Sequence, residues 1–127
     1  MISDDTARGR VLIIDDNKEV RALLAAVVTS LGYETIEAEG GIAGLELAAS
    51  ALPDVAFLDL WMEDMQGLEV LDHLHHLRPT LPVIIVTADP LTDMNLESRA
   101  RGAFDYILKP FEIAQVRRAL VAAMTCG

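Results

Sequence analysis

The chain has 127 residues, 52% of them hydrophobic, and its 20 acidic against 10 basic side chains give a net charge of −10. That length fits one domain around one core, and the apolar content excludes a disordered chain. Such an acidic molecule repels a phosphate backbone, and Arg117-Arg118 is its only adjacent basic pair, so the expected partners are proteins, small phosphodonors and divalent cations, with no direct nucleic-acid binding.

Residues 11–14 form an apolar run read as a first strand, with Asp15 and Asp16 directly after it. Asn17 then suits a helix N-cap, and Val20, Leu23, Leu24, Val27, Val28 and Leu31 recur at helical spacing until Gly32 stops them. A second strand is expected over 33–38 and a short helix over 41–49, with Ile42, Leu45 and Leu47 free to pack. Pro53-Asp54 punctuates a third strand over 55–58, which Asp59 closes. Gly67 lies in the loop that follows, and Leu68, Leu71, Leu74 and Leu77 make the apolar stripe of a third helix ending at Pro79. Pro82 introduces a fourth strand over 83–86, ended by Thr87. From Asp89 to Arg101 the apolar positions Leu91, Met94 and Leu96 are sparse, so a fourth helix should begin late, after Pro90, and pack weakly enough to move. Gly102-Ala103 leads into a fifth strand over 104–108, Lys109 follows it, and Ile113, Val116, Leu120 and Met124 mark a last helix.

Strand then helix, five times over, implies right-handed crossovers and an α/β fold: a doubly wound parallel sheet with helices on both faces. Residues 1–127 read as a single domain with a tail over 1–10 and no output domain. Every apolar stretch is shorter than the ~20 residues that span a membrane. The start Met1-Ile2-Ser3-Asp4-Asp5 lacks the regions of a signal peptide, so a cytoplasmic location is expected. Cys126, the single cysteine, has no partner for an internal disulfide and reads as a bystander.

In a parallel sheet every strand's carboxyl end lies on one edge, so Asp15, Asp16, Asp59, Thr87 and Lys109 should share a crevice. Like charges there repel by roughly 4 kcal/mol per pair at ~4 Å and an effective dielectric near 20. Lys109 offsets one charge of three, and a divalent cation offsets the rest; an all-oxygen site with room for water suits Mg²⁺. Aspartate is a nucleophile in phosphoryl transfer, and Asp59 is the candidate to form an acyl phosphate. Mg²⁺ and Lys109 would then neutralise the phosphoryl oxygens and the Thr87 hydroxyl would donate to one. Singly, each group has an ordinary explanation: a helix cap, a β-branched strand residue, a turn. Their coincidence at the ends of different strands points to function.

The motifs Val11-Leu12-Ile13-Ile14-Asp15-Asp16-Asn17, Leu58-Asp59 with Met62 and Gly67, Val86-Thr87-Ala88, and Gly102-Ala103-Phe104-Asp105-Tyr106-Ile107-Leu108-Lys109-Pro110-Phe111 resemble a response-regulator receiver domain along nearly the whole chain. The resemblance implies a flavodoxin-like five-stranded sheet in the order 2-1-3-4-5. It implies that Asp59 is phosphorylated by a histidine kinase or phosphotransfer protein, with Asp16, Asp59 and the Trp61 backbone carbonyl on Mg²⁺ and Asp15 acting through water. Thr87 and Lys109 would bind the phosphoryl group, and the Lys109-Pro110 bond would be cis. Thr87 and Tyr106 would act as the switch, remodelling the surface of the last two helices and last strand, through which a homodimer would form. Such a domain is a signalling phosphoacceptor and at most catalyses its own phosphorylation and dephosphorylation.

Glu63 stands where that family usually has proline, Gln66 where a small or acidic residue is common, and Asp89-Pro90 follows Thr87-Ala88. Trp61 is bulky beside the phosphoryl position and is expected to slow water attack by shielding. His73, His75 and His76 invite a metal reading, but Glu69 with His73 and Asp72 with His76 at i,i+4 spacing form a solvated face that would hold zinc only weakly. Three alternatives stand beside the receiver reading. A haloacid-dehalogenase-like phosphatase would carry its nucleophile on the first strand with a second aspartate two residues later, where Trp61 stands here. A flavodoxin-like cofactor binder would need a phosphate-cradling loop where Asp15-Asp16 repel phosphate, and a pseudo-receiver adaptor would have lost a site residue.

Overall fold

Strand residues buried on both sides must be apolar at every position, and the runs at 11–14, 55–58 and 83–86 obey this. In the computed structural model, which describes residues 9–89 and 92–126, they become the centre of a sheet. The elements are β1 (Arg10–Ile14), α1 (Lys18–Ser30), β2 (Glu34–Ala38), α2 (Gly41–Ala51), β3 (Val55–Leu58), α3 (Gly67–Leu77), β4 (Val83–Thr87), α4 (Thr92–Ala100), β5 (Asp105–Leu108) and α5 (Ile113–Cys126). All pairings are parallel and the order is β2-β1-β3-β4-β5, as the resemblance implies. The register pairs Ile14 with Leu58 and Leu58 with Ile85. Asp15, Asp59 and Thr87 thereby reach one edge together.

Alternate strand residues feed two cores. Val11, Ile13, Val55, Phe57, Ile84, Val86 and Ile107 meet Leu24, Val27 and Val28 of α1 and Val116, Ala119, Leu120 and Ala123 of α5. Leu12, Ile14, Ala56, Leu58, Val83 and Ile85 meet Ala48 of α2 and Val70, Leu71 and Leu74 of α3, with Met94 of α4 at the margin.

Asn17 caps α1 by accepting from the N–H groups of Glu19 and Val20, and Gly32 takes the left-handed turn after it at φ 90°. Several boundaries and faces differ from expectation. Arg10 belongs to β1 instead of a tail, because it pairs with Glu34 of β2 and its carbonyl accepts from the Asp54 N–H at 2.8 Å, while its guanidinium donates to Glu34 and the Ala51 carbonyl; residues 1–8 lie outside those described. α2 continues to Ala51, where Leu52 turns it at φ 51°. On α3 the buried stripe is Gly67, Val70, Leu71 and Leu74, leaving Leu77 47% exposed. On α4 Leu96 is exposed while Ser98 is fully buried, its hydroxyl satisfied by donating to the Met94 carbonyl. Pro90 and Leu91 lie outside the described residues, as does the side chain of Cys126.

Candidate phosphoacceptor site

Asp15 is the most tightly held group of the site. It is 1% exposed, its Oδ1 accepts from the Asn17 N–H at 2.9 Å, and its Oδ2 accepts from Lys109 Nζ at 2.8 Å. Lys109 reaches there from the end of β5, and its ammonium also donates to Asp59 Oδ2 at 3.4 Å. Burial alone would lower the Lys109 pKa, but the hydrogen bond to Asp15 and the charges of Asp59 and Asp15 outweigh it and hold the ammonium above its ordinary value. The Lys109-Pro110 bond is cis, as the resemblance implies.

Asp59 is 7% exposed at the end of β3, and its Oδ1 accepts from the Trp61 N–H at 3.3 Å. Asp16 is exposed. One carboxylate oxygen each from Asp15, Asp16 and Asp59 lie within 4.8 Å of one another, the only such acidic, histidine or cysteine cluster among the described residues. An oxygen-only donor set of three carboxylates with one ammonium fits a hard divalent cation that keeps part of its water shell. Asp16 also lines an acidic groove with Glu39, Glu46, Glu63 and Asp64, whose field concentrates cations at the mouth.

Thr87 is fully buried at the end of β4, and its hydroxyl has no hydrogen-bond partner. Such an orphan costs roughly 1–3 kcal/mol, and an oxygen arriving beside it would remove the penalty. Next to it, Asp89 is 7% exposed and receives two side chains. Trp61 Nε1 donates to its Oδ2 at 2.8 Å, and the Tyr106 hydroxyl donates to its backbone carbonyl at 2.8 Å. The indole is otherwise half-exposed, which fixes it as a rim between the loops after β3 and β4. Burial, with the charges of Asp89 and Asp59, raises the Tyr106 pKa.

The loop from Asp59 to Gly67 lacks proline, and three contacts shape it. Gly67 N–H donates to the Leu60 carbonyl at 2.7 Å, Trp61 and Gln66 form an antiparallel bridge, and Asp64 accepts at 3.0 Å from the N–H groups of both Gly41 and Ile42. Those bonds, Ile42 first, keep the Asp64 carboxyl below its ordinary value.

Sequence reasoning thus foresaw every member of the cluster and missed Arg21, Asp64 and the side-chain role of Asp89. Arg21 Nη1 donates to the Asp15 carbonyl at 2.7 Å. None of the three carries a local signal, since each acts on a residue brought near by folding. The histidines separate: His73 and His76 are exposed, whereas the His75 ring nitrogens face the carbonyls of Leu81 and Arg101 at 2.9 and 3.2 Å. Asp72 pairs with Arg101 at 2.8 Å.

A doubly wound 2-1-3-4-5 sheet with an acidic cluster, a threonine and a lysine on its carboxyl edge defines a receiver-type phosphoacceptor. The candidate nucleophile follows the third strand, unlike the first-strand arrangement of a haloacid dehalogenase. A family model described as "Response regulator receiver domain" matches residues 11–121, and the chain belongs to that family. It is 35% identical over 111 residues to the sporulation initiation phosphotransferase F of Bacillus subtilis (strain 168), covering 87% of this chain and 90% of that protein. It is 37% identical over 119 residues to the regulatory protein AtoC of Escherichia coli (strain K12), covering 91% of this chain but only 26% of AtoC. The chain thus spans about a quarter of that relative's length. Among solved structures, the receiver domain of NtrX from Brucella abortus superposes with a TM-score of 0.88 at 28% identity, covering 92% of this chain and 99% of that one. The chain is therefore a phosphoacceptor receiver domain of two-component signalling.

Proposed function

We propose that Asp59 is the residue phosphorylated, in a Mg²⁺-dependent transfer from a histidine kinase or phosphotransfer protein. The observation that carries this reading is the convergence of Asp15, Asp16 and Asp59 with Lys109, beside a buried Thr87 hydroxyl that lacks a partner. Asp16, Asp59 and the Trp61 carbonyl would hold the cation, with Asp15 acting through water; when bound, it neutralises oxygens of the incoming phosphoryl group and screens the carboxylates from one another.

The protein's own groups do the rest. Asp59 Oδ attacks phosphorus in line with the leaving group, Lys109 turns from Asp59 to a phosphoryl oxygen, and Thr87 moves to donate to another. Trp61 limits access by water, which lengthens the life of the acyl phosphate. Movement at Thr87 reaches Tyr106 through Asp89, which accepts the Tyr106 hydroxyl, and changes the α4-β5-α5 surface on which a partner or a second copy would dock.

The 127 residues act as a single receiver unit, a phosphoacceptor and not an enzyme on a separate substrate, working in the cytoplasm without direct nucleic-acid contact. No helix among the described residues is long and apolar enough to cross a membrane. Incubation with acetyl phosphate and Mg²⁺ should add one phosphoryl group by intact mass, and Asp59→Asn should gain none while remaining folded. Equal labelling of Asp59→Asn would remove Asp59 from this role.

A further inference from the structure

Of the three clustered carboxylates Asp16 is held least. It is exposed, and among the described residues its carboxylate has no hydrogen-bond partner, whereas both oxygens of Asp15 are engaged. With no side-chain contact to aim it, the place from which it can reach a cation is given by its backbone, including the peptide that joins it to Asp15. The carbonyl of that peptide accepts from Arg21 Nη1 at 2.7 Å, from the first turn of α1. Arg21 is itself held: its side chain is only 11% exposed and its Nε donates to Glu37 of β2 at 3.3 Å. A planar guanidinium fixed at both ends resists rotation, and the peptide cannot turn without giving up a charge-assisted bond.

We propose that Arg21 is a positioning residue which, by holding the Asp15 carbonyl, aims the Asp16 carboxylate at the cation. This rests on the reading that the cluster binds a divalent cation. Two roles of Arg21 predict opposite signs. As a bare positive charge it repels the cation, and its removal would tighten binding. As the group that aims Asp16, its removal weakens binding.

The test is a Mg²⁺ titration of the full chain, read by Trp61 fluorescence, on the wild type, Arg21→Met, Asp16→Asn and the double variant, with thermal unfolding of each sample. Arg21→Met should bind Mg²⁺ about tenfold more weakly in the wild-type background and within about twofold of its parent in the Asp16→Asn background, the coupling expected of residues acting as a unit. Unchanged or tighter binding by Arg21→Met, or an equal loss in both backgrounds, would overturn the positioning role. Should Arg21→Met fail to give a cooperative melt, Arg21→Lys keeps the charge and one donor, and its loss must likewise vanish with Asp16→Asn. A wild type that does not respond to Mg²⁺ overturns the cation reading and this inference together. A response abolished by Asp16→Asn but intact in Arg21→Met overturns only the latter.

Discussion

Replacing Asp64 with alanine removes the cap of a helix that begins 23 residues away in sequence. α2 starts after Gly40, which offers no side chain, and the N–H groups of Gly41 and Ile42 donate to Asp64 Oδ1 and Oδ2, each at 3.0 Å. Losing an N-cap costs typically ~1 and up to ~2 kcal/mol; two bonds to an exposed carboxylate put the expected loss at about 1.5 kcal/mol. With roughly 2.1 cal/mol/K of unfolding entropy per residue over 127 residues, that lowers Tm by about 5–6 °C. Because those bonds hold the folded-state pKa below the ordinary 3.8, the carboxylate's contribution is full above 3.8 and fades as pH falls through the lower folded value. Melting curves of wild type and Asp64→Ala should therefore stand apart at neutral pH and converge in acid. Coincident curves at pH 7, or a gap that widens on acidification, would refute the trans-cap.

Lys109→Met leaves Asp15 and Asp59 without their shared cation and should lower stability in Mg²⁺-free buffer by about 2 kcal/mol by urea titration, with much of the loss restored by Mg²⁺. Since the folded-state Lys109 pKa is raised, its contribution is full below 10.5 and lost as pH rises through the folded value, so the difference between wild type and Lys109→Met should shrink in strong alkali. Trp61→Asn removes the shielding ring, and the phosphoryl half-life followed by intact mass should shorten several-fold; an unchanged half-life discards the shield. Gly67→Ala places a Cβ 2.3 Å from Leu60 Cα and 2.6 Å from the Asp59 carbonyl oxygen, all backbone, so a loss of about 3 kcal/mol or more is expected by chemical denaturation.

Much of this molecule is written locally. The three central strands carry continuous apolar runs, Asn17 stands one residue before α1, and Asp15, Asp59, Thr87 and Lys109 each end or follow a strand, so parallel topology alone gathers them. What was illegible depends on contacts that the side-chain pattern does not display. Leu77 lies seven residues on from the buried Val70, on nearly the same face, yet it is the last residue of α3 and stays 47% exposed, because helical spacing does not show where a helix runs past its core. Ser98 reads as a surface residue, yet its hydroxyl bonds within α4 and lets the side chain go inside. Arg21 and Asp64 act on backbone groups, which leave no trace in side-chain pattern. Where proline would stiffen the loop after Asp59, this chain carries Glu63 and fastens the next residue across to α2.

Asp89 is gripped from two sides, its carboxylate by the indole and its carbonyl by the phenol. Any displacement of that residue must disturb both aromatic rings at once. Trp61 is the sole tryptophan, so a shift of Asp89 that releases the Tyr106 hydroxyl should also alter the indole emission, a change stopped flow can follow without attaching a dye.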